Sequence, residues 1–366
     1  MNQDVSTTRT LLHESVPITG TLVSGTYMTD DGAGTVTEHN IKNYSHGMFQ
    51  SVYDYPYLSS SANHIFDLTV GYSSNSAMSA SESTRTQQQK KINIYNQMAK
   101  LLVGVDVTGN VKNFGDHIGT ADSANDLFFM SFSRLLTKDE VQKGSFTMTV
   151  VTGGNYNHGF DGAGELTIDD SGSVNNYRTD SPAGEFGILY ASPFDSDASD
   201  YTHKVGAIYY QAGIIALTAS IFNAADSAGG NDIEGTPAYF GSHYDGTGND
   251  TATSITASLQ SIAISGTCNG LRNRMKNLTF NNTTELNSTI YFCRANNNEF
   301  NYSSNPTYVE NSKLRVKSEA TDSPVSYITT VGLYSADNEL LAVAKLSEPL
   351  RKDPTNEITL RCRLDY

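Results

Sequence analysis

The side chains able to do chemistry are scattered along this sequence rather than gathered in motifs. Its eight histidines, His13, His39, His46, His64, His117, His158, His203 and His243, show none of the short spacing that metal ligation needs. There is no His-Glu-x-x-His and no Cys-x-x-Cys. Asp161, Asp169 and Asp170, and again Asp245 and Asp250, fall in glycine-rich turns where carboxylates could hold Ca²⁺, but they lack the ligand order of an EF-hand. Solvated turn carboxylates are the plainer reading. No Gly-x-Ser-x-Gly marks a serine nucleophile. The glycine-rich run Gly159 to Gly164 leads into Glu165-Leu166-Thr167-Ile168, a strand and not a helix, so it does not build a phosphate cradle. A glycosidase uses two carboxylates that can come from anywhere in a chain, and spacing says nothing about such a pair. The expectation is a non-enzyme with no catalytic, cofactor-binding or metal-binding residues and no cofactor.

Aromatic residues offer the other chemistry. Tyr44, Phe49, Tyr53, Tyr55, Tyr57, Phe66 and Tyr72 crowd one short stretch, which reads either as core strands kinked at Pro56 or as a face that stacks on sugar rings. The three cysteines, Cys268, Cys293 and Cys362, cannot all pair within one chain and lie far apart in sequence, which favours a reducing compartment. The first residues show neither a basic nor an apolar leader segment, and no apolar run reaches the length of a membrane span. Charged residues make up 17% of the 366 and the net charge is −15. Such a surface repels nucleic acid and acidic membranes. Asn-x-Ser/Thr triplets such as Asn277-Leu278-Thr279 and Asn287-Ser288-Thr289 are expected by chance in so Asn- and Thr-rich a chain.

The elements that would carry these residues are mostly strands. Abundant Ser, Thr and Asn favour turns and strand edges, and 21 tyrosines with no tryptophan add to the β bias. The exception is a helix near 80–103: Ser79 and Glu82 fit a capping box, Ile94, Met98, Leu101 and Leu102 share a stripe, and Gly104 stops it. Its polar first turns, Thr86 to Lys91, read as solvated or laid against another subunit. Thr137-Lys138-Asp139-Glu140 signals a second capping box and a short helix between strands Leu127–Phe132 and Phe146–Val150. Val205–Tyr210 and Ile214–Leu217 form a hairpin around Gln211-Ala212-Gly213.

Near the C-terminus, Tyr327–Leu333 alternates, Ser335-Ala336-Asp337-Asn338 turns, and Leu340–Leu346 returns. After a loop from Pro349 to Pro354, Ile358, Leu360, Cys362, Leu364 and Tyr366 share one face. The expectation is a three-stranded antiparallel unit whose last residue is fastened down. The N-terminal forty residues read as an arm of short pieces, Val16-Pro17-Ile18 and Thr21-Leu22-Val23. Glycine- and aspartate-rich stretches at Gly153–Asp200 and Asn223–Ser254 read as excursions that neighbours would order. The resulting division is an α+β domain at 1–152, a β insertion at 153–270 and an antiparallel β domain at 271–366, mainly β throughout, with sandwich-like sheets and two helices, one long and one short, in the N-terminal half.

Several segments resemble virion structural proteins of marine contractile-tailed bacteriophages. They are Val52 to Asp67, Phe132 to Glu140, Glu299 to Tyr308, and Thr330-Val331-Gly332-Leu333-Tyr334 running on to Ala342-Val343-Ala344-Lys345-Leu346. The last also is similar to the particle-proximal region of tail-fibre and baseplate proteins. The resemblance implies a multi-copy tail or baseplate component, or a neck or head-attached one, whose partners are other virion proteins, with no direct contact to nucleic acid and no membrane insertion. It implies assembly in host cytoplasm and transfers no catalytic residue. From the residues alone, a carbohydrate-binding adhesin using the Tyr44–Tyr72 aromatics and a cell-wall hydrolase are the alternatives.

Overall fold

The structure, a computed structural model, describes residues 3–23, 26–30, 36–76, 79, 85–118, 124–151, 165–192, 204–222, 259, 263–302, 309–310, 313–314 and 324–366. It is mainly β and antiparallel. Two compact units form, His13–Thr284 and Met1–Leu12 with Glu285–Tyr366.

In chain order, β1 (Gln3–Thr19) runs unbroken through Val16-Pro17-Ile18, and Thr21-Leu22-Val23 belongs to a helical turn, α1 (Gly20–Val23). The short pieces expected there are therefore one long strand and a turn of helix. A small hairpin, β2 (Met28–Asp30) with β3 (Val36–Glu38), follows. β4 (Ile41–Asn43), β5 (Gln50–Tyr53) and β6 (His64–Tyr72) pair in sequence. α2 (Arg85–Leu102) crosses to α3 (Gly115–Ile118), and β7 (Asp126–Phe132) returns beside β6. A turn of helix, α4 (Arg134–Thr137), leads to β8 (Glu140–Val141) and β9 (Thr147–Val151).

Beyond these lie β10 (Glu165–Asp169), β11 (Arg178–Ser181), β12 (Gly184–Ser192), β13 (Lys204–Tyr209) and β14 (Ile214–Thr218). α5 (Ile264–Arg274) feeds directly into β15 (Met275–Ala295). β16 (Val309–Glu310) and β17 (Lys313–Leu314) make a minimal pair. β18 (Ser326–Tyr334), β19 (Leu340–Lys352) and β20 (Ile358–Asp365) complete the chain.

Within His13–Thr284 one sheet runs β15-β9-β10-β12-β13-β14-β7-β6-β5-β4. Segments expected to belong to separate domains at 1–152 and 153–270 are thus neighbours in a ladder, through β9 with β10 and β7 with β14. The structure draws the division differently because β10, whose Glu165–Ile168 reads as a strand in the sequence, and β12, which the Gly-rich composition conceals, lie in the middle of the sheet. The hairpin read at Val205–Leu217 is β13 with β14. Both faces of the central strands are buried. On β7, Phe129 meets Tyr95 of α2 and Phe114, while Phe128 on the opposite face meets Phe222. Continuous apolar burial of this kind is what makes those strands read as uninterrupted hydrophobic runs.

Three local readings need correction. Glu82 lies outside the described residues, and α2 begins at Arg85 with Gln88 and Lys91 buried in what read as its solvated turns. Leu101, assigned to the apolar stripe, is 54% exposed, because the buried stripe is Ile94, Tyr95, Ala99 and Leu102. Thr137 does not cap a helix. Ser133 caps α4, Lys138 at φ 54° ends it, and Glu140 pairs in β8 with Thr283 of β15. The edge of a neighbouring strand outcompetes a weak local helix signal.

Candidate assembly surface

The C-terminal hairpin is built as expected, but its third strand goes elsewhere. β18 and β19 pair from Ser326–Lys352 up to Tyr334–Leu340. Their turn is held by Ser335, whose backbone N–H donates to the Glu339 carbonyl at 2.9 Å, and Asn338 takes the left-handed conformation at φ 63°. Asn is among the few residues that tolerate that region. β20 pairs with Ser288–Ala295 of β15 instead. The expected three-stranded unit is therefore a hairpin plus a strand laid on β15. The chain's end is tied down all the same: Tyr366 and Asn287 exchange backbone hydrogen bonds at 2.9 and 3.0 Å.

At its base the hairpin is fastened by polar contacts. The buried Lys352 ammonium donates to the Asn301 Oδ1 at 2.9 Å and to the Asp353 and Asn297 carbonyls at 3.0 and 3.3 Å, and Ser326 Oγ donates to the Phe300 carbonyl. Three acceptors for three donors is the complete requirement of a buried ammonium. Beyond that base the hairpin is bare. Tyr327, Tyr334, Leu340, Leu341 and Val343 are 53% to 62% exposed. β18 and β19 form a two-stranded sheet, and such a ribbon is marginal in water unless something covers an apolar face. Residues 6–15 of β1 are exposed as well, Leu11 and Leu12 included, whereas Ile18 near its end is buried in the core.

The aromatic stretch divides. Phe66 and Tyr72 are core residues, Phe66 packed edge-on to Phe132. Tyr44, Phe49, Tyr53 and Tyr57 are half-buried and Tyr55 is exposed. Around β4 and β5 these rings gather with others: Tyr27 to Tyr55 at 5.3 Å between centroids, Tyr53 to Tyr57 at 6.2 Å, Tyr53 to His64 at 5.5 Å, and Tyr44 stacked on His46 at 5.1 Å. Beneath them Asp67 accepts from Ser51 and pairs with His64 at 2.9 Å. Burial raises its pKa, but these hydrogen bonds outweigh burial and hold it below the ordinary aspartate value.

The residues weighed for catalysis or metals do not converge. Among the described residues no three of His, Cys, Asp and Glu gather where they could hold a metal ion. Asp169 serves its own turn, accepting from Ser171 N and Oγ. Asp170 is fully buried and accepts from Gly144 N, Phe146 N and the Tyr210 hydroxyl at 2.8, 2.9 and 2.8 Å. Burial pushes its pKa up against those bonds, and its work is to pin the turn before β9. His117 is buried against Phe186, with Nδ1 at 3.0 Å from the Tyr209 hydroxyl. Glu140 and Glu185 both face Lys143, at 3.6 and 2.6 Å. Asp161, Asp245, Asp250, His158, His203 and His243 lie outside the described residues.

Two arrangements had no place in the sequence reading. One is the buried Arg272, which donates to both Glu38 oxygens, to the Val23 carbonyl at 2.7 Å and to Asn269 at 3.0 Å. It ties α5 to β3 and to the end of α1. Ile264, Thr267, Cys268, Leu271 and Met275 show the helical spacing that could have revealed α5, but Gly266, Gly270, Asn269 and Asn273 obscured it. The other is the pairing of β20 on β15, which sets Cys362 opposite Tyr291 and brings it beside Cys293, whose thiol is pushed up by burial and by that neighbour. No helix among the described residues is long and apolar enough to cross a membrane. No family model matches the chain, and no curated protein and no solved structure matches it.

Proposed function

We propose that the chain is a structural subunit of a tailed-phage virion, placed in the tail or baseplate and gripping neighbouring subunits through its C-terminal hairpin. The observation that carries the reading is the hairpin itself: a ribbon anchored by Lys352 and Ser326 at one end and exposing five large apolar side chains beyond. Exposed apolar surface concentrated on one element marks an interaction site rather than scattered surface residues. The exposed residues 6–15 of β1 and the low charge of the chain suit an assembly made through many polar and aromatic contacts. The resemblance of several segments to contractile-tail virion proteins supports that position; a neck or head-attached position is the variant of the same reading. Its partners are other virion proteins and its location is the particle, assembled in host cytoplasm. Immunogold labelling of purified particles with an antibody to this chain tests it. Label at the tail tip or along the tail is expected, and particles free of the chain would refute it.

The exposed Tyr55 and the rings around it favour a second reading, an adhesin stacking on host glycans. Binding on a glycan array that is lost in Tyr55→Ala and Tyr57→Ala would establish it; silence on the array would leave these rings as surface packing.

A further inference from the structure

The two edges of the C-terminal hairpin are unlike. β19 carries Lys345, Glu348, Arg351 and Lys352, with Pro349 among them. Its pairing skips from Leu350, opposite Ile328, to Lys345, opposite Thr330, so the residues between bulge out of the ladder. Charge, proline and bulges are the means by which an edge is kept from pairing with other chains. β18, Ser-Tyr-Ile-Thr-Thr-Val-Gly-Leu-Tyr, has no charge, no proline and one glycine. A neutral, β-prone edge of this composition pairs with whatever strand reaches it. Among the described residues β19 is its only strand partner, so its outer N–H and C=O groups face outward.

We propose that this outer edge of β18 pairs antiparallel with the same strand of a second copy across a two-fold axis, making one four-stranded sheet from two hairpins. The inference rests on reading the chain as an assembly subunit and names the first neighbour. Charge leaves this edge as a place where two copies can meet. At a net −15 two copies repel over most of their surface, whereas β18 set against β18 opposes no charge to any other. A two-fold contact also requires a self-complementary patch. With Thr330 at the axis, all nine residues of the strand find a partner: Ser326 opposite Tyr334, Tyr327 opposite Leu333, Ile328 opposite Gly332, Thr329 opposite Val331, and Thr330 opposite itself. Aromatic–aliphatic and threonine pairs of this kind are favourable across strands.

Sedimentation velocity of the full chain tests the pairing. The wild-type chain is expected to dimerise reversibly. Thr330→Lys and Thr330→Asp each place like charges face to face at the axis and are expected to weaken the dimer about five-fold or more. An equimolar mixture of the two is expected to regain wild-type association, because Lys then faces Asp. Thr330→Asp lies opposite Lys345 within its own hairpin, so that variant keeps the hairpin while opposing the dimer. A wild-type chain that sediments as a monomer at every concentration, variants that dimerise like wild type, or a mixture that stays as weak as its components would overturn the proposal. A monomeric chain found in particles would sink the two-fold pairing alone; a dimeric chain absent from particles would sink the virion reading alone.

Discussion

Lys91 shows how much a single side chain can hide. In sequence it belongs to a polar run that reads as solvated, yet it is fully buried and donates to the Leu259 carbonyl, and burial pulls its pKa down from 10.5 to about 8. The unfolded chain keeps that proton up to the ordinary lysine value, so between about pH 8 and 10.5 it binds more protons than the folded chain and stability rises with pH. Cys268 beside it, pushed up by burial to about 12, opposes this above the ordinary thiol range, since its proton is held more tightly in the fold. The clean window is therefore pH 7 to 9. Urea midpoints should rise there by the equivalent of about 1 kcal/mol, and Lys91→Met should flatten the rise; an equal slope in the variant would exclude Lys91 as its source. Glu38→Ala should destabilise by about 3 kcal/mol in the same assay, because it strips Arg272, wholly buried, of its countercharge. Nothing near Glu38 or Arg272 in sequence announces that pair, which lies 234 residues apart. Periodicity reports which face of an element is apolar and says nothing of a buried charge's partner.

At the scale of elements, legibility followed the apolar pattern, alternating or continuous. β18 and β20 were readable because their apolar residues alternate, and β7, β13 and β14 because short continuous apolar runs mark strands buried on both faces. Glu165–Ile168 of β10 was legible too, but β12 was not, since Gly, Ser and Asp surround it, and neither was α5, whose glycines and asparagines mask its stripe. Pairing partners were the other blind spot: β20 shows its face plainly, but which strand it joins is settled by long-range packing. The seat of α2 shows one such constraint. Gly71 of β6 lets the helix backbone come so close that a Cβ there would stand 2.7 Å from the Lys91 carbonyl oxygen and 2.8 Å from the Tyr95 nitrogen. Neither atom can yield without moving the helix. Gly71→Ala should cost about 1 to 3 kcal/mol in chemical denaturation and displace α2, with loss of the Tyr95–Phe129 contact seen as altered near-ultraviolet dichroism. A variant as stable as the parent would mean that α2 is not packed this closely.

For the whole molecule, the proposed scaffold reading turns on which groups the fold itself accounts for. Burial and hydrogen bonding account for Asp170 and His117, the groups whose chemistry drew notice, as parts of the fold. Among the described residues nothing gives such an account of the exposed apolar residues of β18 and β19, and under the proposed function a covering neighbour supplies one. Hydrogen exchange at the Ser326–Tyr334 amides, compared between the free chain and purified particles that contain it, tests that claim most directly. The outer-edge amides of β18 should exchange quickly in the free chain diluted until it is monomeric and be strongly protected in the particle, while those of β7 stay slow in both. Equal exchange of β18 in the two states would mean that no neighbour grips the hairpin.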